Sequence, residues 1–501
     1  MLIPIGDVPG WHAARKPTDT IAVRHGDETL TWAQLEANAN ARAHAFRDKG
    51  VKPGDFVAIG LPNSNAFYET SFAVWKCGAT PTSLSPKLPP GEVAAILEIL
   101  KPSLVVGGEP DWGAPNVLPK DFVPTGFPTT ALDAPVARYW KAMTSGGSTG
   151  RPKIILDHAP AVIDTAGTVL RIEPGTRLLN PGPLYHNAPF ILSHYALLGG
   201  GSVVGMARFD AAEALRLMHE HRIEWVNFVP TMMGRIWALP TEQREAADLS
   251  ALKTVFHMAA PMPAWLKEKW IEWLGPERIY ELYGGTERQG RTVISGTEWL
   301  KHPGSVGKPD ESAVRILDEN LQDVPVGTDG EIFLLPPDGA GSSYHYIGAE
   351  PRRIEGGWES LGDIGRLDAD GYLYLGDRRS DMVLRGGANI YPAEVEAALV
   401  AHPDIRSSVV LGLPDPDLGA RLHAIIEVDR GTDGDAVLAS LPAFLGQRLS
   451  KYKHPESYEI AHESHRDDAG KVRRTMLRAE RVRWLEEGRE FRFAAGGAKQ
   501  A

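Results

Sequence analysis

The stretch TSGGSTGRPKII, residues 144–155, combines three glycines, several hydroxyls and two cations, with almost nothing to bury. It lies between apolar segments. Small residues let backbone N–H groups approach an anion closely, hydroxyls donate to its oxygens, and Arg151 and Lys153 balance its charge. The run is not a Walker loop. The spacing G-x-x-x-x-G-K-[ST] fails because Arg151 and Pro152 separate Gly150 from Lys153. Taken alone, it also reads as a plain surface turn. The flanking sequence decides what scaffold holds it.

Upstream, Thr31 is placed to cap a helix with Leu35, Ala39, Ala43 and Phe46 on one face and Gly50 at its end. VKPGD then turns into an apolar run, 56–59, that reads as a buried strand. A second helical pattern passes through Phe67, Phe72 and Trp75. Thr80-Pro81-Thr82 follows, and another helix is expected over 92–100. The rhythm returns at 211–229 and 265–282, and predicts an α/β domain with a mainly parallel sheet. From 300 to 375 the pattern changes. GSVGKP, GEIFLL and GYLYLGD are short strands with glycine turns, which predict an antiparallel subdomain. A boundary is expected at LGDRRSDMVLRGG, where Gly376, Gly386 and Gly387 flank a charged run. Beyond it YPAEVEAALVAHP reads as a helix and SSVVLGLP and HAIIEV as strands, a fresh βαβ pattern. The expected fold is α/β, with a large multi-subdomain N-terminal α/β domain over 1–380 and a small α+β C-terminal domain over 381–501.

Composition narrows the function. A chain of 501 residues exceeds one ordinary core. The formal charge of −11 gives no support for nucleic acid as the main partner, while leaving room for local basic pockets around a phosphate. Cys77 is the single cysteine, so no intramolecular disulfide can form, which suits a reducing cytosol. Its surroundings, SFAVWKCGATPTS, read as core. MLIPIGDVPGWHAARKP has no apolar signal region or cleavage signature, and no run reaches the length of a bilayer span. A cytoplasmic, soluble protein with no membrane partner is expected.

Three further stretches carry chemistry. ELYGGTERQG, 281–290, places an aromatic, two permissive backbone positions, a hydroxyl and a carboxylate together at Tyr283, Gly284, Gly285, Thr286 and Glu287. Such a loop can stack a base, bind a phosphate and hold Mg²⁺ through Glu287. In GWESLGDIGRLDADGYLYLGDRRSD, 357–381, Asp363 can accept two ribose hydroxyls and Arg378 can add a cation. DADG is also a good hairpin turn. In HRDDAGKVRR, 465–474, Lys471 follows Ala469-Gly470 on an exposed turn.

Together, and in this order, the four stretches resemble the acyl-adenylate-forming superfamily of acyl-CoA synthetases, peptide-synthetase adenylation domains and firefly-type luciferases. The resemblance covers nearly the whole chain. It includes TLTWAQLEANANARAHAFRDKGVKPGDFVAIGLPNS at 29–64, GGANIYPAEVE at 386–396 and SKYKHP at 450–455. It implies an enzyme that uses ATP and Mg²⁺ to join a carboxylate to AMP, releasing pyrophosphate, and then passes the acyl group to a nucleophile.

By this resemblance Ser145, Gly147, Ser148, Thr149, Gly150 and Lys153 belong to the phosphate loop. Thr286 would touch the α-phosphate and Glu287 would hold Mg²⁺. Met258, Ala259, Ala260 and Pro261 would line the adenine, Tyr283 and Gly284 would flank it, and Asp363 and Arg378 would meet the ribose. Lys471 matches the catalytic lysine that bridges carboxylate and α-phosphate. His186, in PGPLYHNAPF, matches a catalytic position beside the acyl pocket, and a buried histidine holding a backbone carbonyl is its other reading. Asn187, Phe228, Thr231 and Gly284 would line that pocket. Asp381 matches the hinge of a small mobile domain that presents Lys471 in one pose and the face of Gly386 and Gly387, the acceptor channel, in the other.

Four positions depart from the family pattern. Gly146 stands for a serine, Asp377 for a glycine, Ser380 for a lysine and Ala420 for a glutamate. The adenylation residues survive these changes, and the second half-reaction is the step they bear on. TVISGTEWLKHPGSVGKP looks like the equivalent segment in ligases for bulky or cyclic acids. The expected partners are a carboxylic acid of bulky, cyclic or aromatic type and CoA as acceptor. The alternative acceptor is an amino acid or other amine, which would make the chain an amide ligase. A non-catalytic nucleotide sensor and a luciferase-type oxygenase are the remaining readings, and homodimerisation is left open. Arg448, Lys451 and Lys453 could meet CoA phosphates or form a solvated helix end.

Overall fold

The computed structural model describes residues 2–109, 112, 114, 116–146, 152–309, 313–378, 381–385, 388–467, 470–489 and 491–493. The first expected helix forms over Trp32–Asp48. Thr31 Oγ1 accepts from the Gln34 amide while the Gln34 side chain accepts from the Thr31 amide, so two orphan N–H groups are satisfied at once. Leu35, Ala39, Ala43 and Phe46 are wholly buried, and the stripe packs on the helix Asn65–Lys76. Cys77 lies in this core, where burial pushes its thiol up to about 12.

Two sheets carry the large domain. In the first, Phe56–Ile59, Thr80–Ser83, Leu104–Val106, Val117–Leu118 and Ala142–Gly146 run parallel. Pro152–Asp157 folds back antiparallel on Ala142–Gly146, with Ser145 opposite Lys153, and Tyr344–Ile347 adds antiparallel beyond it. The strands on either side of the glycine-rich run therefore close the parallel sheet with an antiparallel pair. In the second sheet, Ile21–His25, Ser202–Gly205, Arg177–Asn180, Trp225–Phe228, Thr254–His257 and Ile279–Gly284 are parallel.

The region 300–375 is antiparallel as expected, yet it is not a separate body. Arg291–Ser295, Ser305–Pro309, Leu373–Arg378 and Asp363–Leu367 extend the second sheet without a break. The intervening Tyr344–Ile347 crosses to the first sheet. Glycine turns report strand reversals but not which sheet edge receives each strand, so the patterning left this open.

Past Asp381 the helix Pro392–Val400 leads into two long strands. Ser407–Asp415 and Gly419–Glu427 form an antiparallel hairpin, and the parallel crossover is the one from Gly419–Glu427 through the helix Gly434–Gly446 to Ser457–Ala461. The expected βαβ pattern is thus displaced by one strand, because the short DPDLG link permits only an antiparallel return. These elements have a core of their own around Val395, Leu399, Val410, Leu422 and Leu441. The molecule is α/β, with a large N-terminal domain and a small C-terminal one. Among the described residues no helix is long and apolar enough to cross a membrane.

Candidate active site

Lys153 starts the strand after the glycine-rich hairpin, and Glu287 sits in the turn after Ile279–Gly284. The two sheets bring them together, with Lys153 Nζ 3.5 Å from Glu287 Oε1. Tyr346, on the strand paired with Lys153's own, completes the group. Its phenol donates to the same Oε1 at 2.7 Å, and Lys153 Nζ lies 3.8 Å from its ring centroid. Burial and the Glu287 carboxylate both push the Tyr346 phenol up, so it stays a donor at neutral pH. Glu287 is 6 % exposed. A Cβ on Gly285 would lie 2.7 Å from Glu287 Oε2, so a larger residue there would displace that carboxylate. A hard carboxylate oxygen of this kind is suited to hold Mg²⁺.

The turn that carries Thr286 and Glu287 is stapled on both flanks. Arg288, at φ +56°, donates to Asp157 Oδ1 at 2.7 Å. Asp157 also accepts from Trp140 Nε1 at 2.9 Å and lies 3.0 Å from the buried Lys141 ammonium. Burial opposes the charge on Asp157, but Lys141 and Arg288 hold its carboxyl below the usual range. On the other side Gln289 donates to Glu359 at 3.0 Å, and Glu359 accepts from Tyr344 at 2.8 Å and from Arg353 at 2.9 Å. A side chain half-buried at Thr286 is thereby fixed between two polar networks.

The residues expected to meet the nucleoside also converge. Tyr283 donates through its hydroxyl to Asp363 Oδ2 at 2.8 Å, and Asp363 pairs in register with Arg378 across two antiparallel strands. One side of the Tyr283 ring packs on the small cluster of Val306, Ile316 and Ile332. The segment from Met258 to Pro261 leaves its strand abruptly. Ala259 takes φ +73°, which leaves Ala259 and Pro261 exposed and Ala260 half-buried. Behind it lie the buried pair of Lys267 and Glu281 and a neutral His257, whose proton affinity burial lowers strongly.

Among the residues expected to line the acyl pocket, His186 is the N-cap of the helix Asn187–Leu198, half-buried, its ring 4.8 Å from that of Tyr185. Thr231 stands in the first turn of the helix Pro230–Trp237. The Phe228 ring is fully buried, packed on Trp270 at 5.9 Å and Phe209 at 6.3 Å. It belongs to the core behind Thr231. Gly284 lies at the end of its strand, exposed, close against Arg291.

The small domain reaches this side. A Cβ on Gly470 would lie 3.6 Å from both Thr231 Oγ1 and a Val229 methyl, so the turn before Lys471 abuts the acyl-side helix. Lys471 itself is exposed, and its amide donates to Asp467 Oδ1 at 2.9 Å. Arg473 donates to Glu92 of the large domain at 2.8 Å. Asp381 lies 3.4 Å from Arg474. Gly147, Ser148, Thr149, Gly150, Gly386 and Gly387 lie outside the described residues, as do the side chains of Ser145 and Arg378. Sequence reasoning missed Tyr346, Arg288, Gln289, Asp157 and Lys141. Only Tyr346 left a local trace, the Tyr-His-Tyr alternation that puts two tyrosines on one strand face.

The chain resembles known proteins in sequence and in fold. Residues 10–340 match the AMP-binding enzyme family and residues 394–471 match the AMP-binding enzyme C-terminal domain. A feruloyl-CoA synthase from Amycolatopsis sp is 32 % identical over 95 % of this chain and 98 % of its own. The o-succinylbenzoate CoA synthetase of Bacillus subtilis, solved with its acyl-adenylate, superposes with a TM-score of 0.78 at 24 % identity, over 95 % of this chain and 98 % of that one. The amide bond synthetase of Marinactinospora thermotolerans also superposes at 0.78 and 24 %, over 95 % and 100 %.

Proposed function

This chain belongs to the AMP-binding enzyme family, whose members form acyl-adenylates, and we propose that it activates a bulky, cyclic or aromatic carboxylic acid with ATP and transfers the acyl group to CoA. A carboxylate is a poor electrophile. Joining its oxygen to the α-phosphorus of ATP, with loss of pyrophosphate, replaces an oxide leaving group with AMP. Attack by a thiol on the acyl carbonyl then expels AMP and forms the thioester.

The observation that carries this reading is the meeting of Lys153, Glu287 and Tyr346, with Gly470, which precedes Lys471, against Thr231. Lys153 would neutralise phosphate charge, and Tyr346 would orient the Glu287 carboxylate. Mg²⁺, when bound at Glu287, supplies charge stabilisation for the pentavalent phosphorus. Asp363 and Arg378 would hold the ribose, and Ala259, Ala260 and Pro261 the adenine edge. Lys471 would bridge the attacking carboxylate and the α-phosphate, and His186 would stand beside the acyl carbonyl. We place the hinge at Asp381, between units 1–380 and 381–501.

CoA as acceptor and an aromatic acid are supported by the likeness to feruloyl-CoA synthase over nearly the full length. Transfer to an amine is the second reading, favoured by the equal structural likeness to an amide bond synthetase and by Ala420 in place of a glutamate. Mass spectrometry separates them. The protein is incubated with ATP, Mg²⁺ and a panel of aryl, alicyclic and fatty acids, without acceptor, with CoA, or with mixed amino acids. Acyl-CoA masses are expected. Acyl-amino-acid masses without CoA turnover would establish the amide ligase, and no acid-dependent pyrophosphate release would refute adenylation.

A further inference from the structure

We propose that Glu396, in the helix Pro392–Val400, is a positioning residue for Lys471, bracing the catalytic turn against the hinge. Its carboxylate is 7 % exposed and takes two guanidinium groups. Arg466 donates to Oε2 at 2.7 Å, and Arg474 donates to Oε1, which also accepts from the Val410 amide at 2.9 Å. These two arginines stand at opposite ends of the lysine turn. Arg466 also donates to the Gly470 carbonyl at 3.1 Å and the Ser408 carbonyl at 2.8 Å, while Arg474 reaches Asp381 Oδ2 at 3.4 Å.

An unbroken polar path therefore runs from the hinge residue through Arg474, Glu396 and Arg466 to the peptide bond that precedes the Lys471 Cα. The turn itself is short and self-bonded. Asp467 N donates to Lys471 O, and Gly470 N to Asp467 O, each at 2.8 Å. Gly470 holds φ +74°, so only a strained backbone could replace it. These bonds fix the shape of the turn but not its direction. A backbone bridge between Arg466 and Val472 closes its base, and its direction is set through Arg466 and Arg474, which one buried carboxylate joins. Charge-assisted bonds at both oxygens leave the carboxylate little rotational freedom, and an exposed lysine carried on a long flexible stem gains most from a fixed base. A misplacement of the ammonium by an ångström lowers a positioned step far more than it lowers binding.

The test uses the full chain and Glu396→Gln, which keeps shape and removes the charge that holds both arginines. The inference relies on the adenylation reading for what Lys471 does, so the first readout is independent of activity. Amide exchange at Gly470 and Lys471 is expected to rise at least tenfold, while the hairpin of Ser407–Asp415 and Gly419–Glu427 exchanges as in the wild type. Arg466→Gln is expected to reproduce this, and serves also if Glu396→Gln fails to fold. The second readout is acid-dependent pyrophosphate release, where kcat is expected to fall at least tenfold with KM for ATP within twofold. Unchanged turn exchange, a rise shared equally with the hairpin, or an undiminished kcat would each overturn the proposal. A wild type that releases no pyrophosphate would instead refute the adenylation reading, with the exchange result still deciding whether Glu396 braces the turn.

Discussion

Lys471, which we propose as the catalytic lysine, directly follows Gly470, which abuts Thr231, so its removal should separate the two half-reactions. Lys471→Ala is expected to lower acyl-AMP formation by two orders of magnitude or more while sparing acyl transfer from supplied acyl-AMP. Near-normal pyrophosphate release in that variant would sink the assignment. Tyr346 makes a subtler case. Tyr346→Phe keeps the ring beneath Lys153 and removes the hydroxyl that donates to Glu287. Loss of one charge-assisted bond of about 1.5 kcal/mol predicts roughly a tenfold fall in kcat for adenylation, with a higher Mg²⁺ requirement. An unchanged Mg²⁺ titration would contradict the orienting role. His194 governs stability and not chemistry. It is wholly buried among Tyr68, Phe72, Trp75 and Phe190, and burial lowers it to about 4. Above its ordinary value of 6.5 both folded and unfolded forms are neutral, so nothing is lost. Below it the unfolded chain takes up a proton that the folded chain refuses, and stability falls by about 2 kcal/mol by pH 5. His194→Phe should flatten the decline in melting temperature between pH 6.5 and 4.5. An unaltered slope would show that another group is responsible.

The first helix and the last one show what local elements contribute. The capping box at Thr31 satisfies two amides at the start of Trp32–Asp48, and Thr31→Ala should cost about 1 kcal/mol in urea unfolding with an unchanged m-value. At the start of Arg474–Glu486, Arg473 pairs with Glu92 from the large domain, 381 positions away. Both side chains are about half exposed, so the pair adds little to stability. In the domain swing we propose, the pair is made only while the lysine turn faces the large domain, so its consequence is conformational. Glu92→Lys should therefore slow adenylation more than acyl transfer, and Glu92→Lys with Arg473→Glu should restore the balance. The defect should shrink as salt is raised, because the exposed pair is then screened in the parent as well. Equal loss in both half-reactions would remove the pair from the domain equilibrium.

Across the molecule, the two domains have separate cores. The cluster around Val410 and Leu441 shares no residue with those around Phe46 and Trp270. The domain swing we propose would therefore leave both cores intact, and it would break the exposed Arg473–Glu92 pair and the contact of Gly470 with Val229 and Thr231. A rotation of this kind concentrates its backbone change in a few residues. Asp381→Pro fixes φ and removes an N–H at the proposed hinge. The expected result is one half-reaction lost far more than the other with an unchanged melting temperature, measured as acyl-AMP formation against transfer from supplied acyl-AMP. Equal loss would count against a swing at this position.

Periodicity and caps alone placed the helix after Thr31, the strand Phe56–Ile59 and the helix Asn65–Lys76, because their signals lie within one or two turns of chain. The order of the short motifs indicated the family for the same reason, since each is one contiguous run of sequence. The sheet that receives Tyr344–Ile347, and with it the placing of Tyr346 on Glu287, has no local signal. Nor do Arg288 on Asp157, 131 positions apart, or Arg466 on Glu396. A strand's pattern states which face is buried but not which edge it joins, and a charged side chain looks the same in sequence whether it meets water or a partner. Those pairings were decided by packing, since a carboxylate removed from water is tolerated only where folding delivers cations and donors to it.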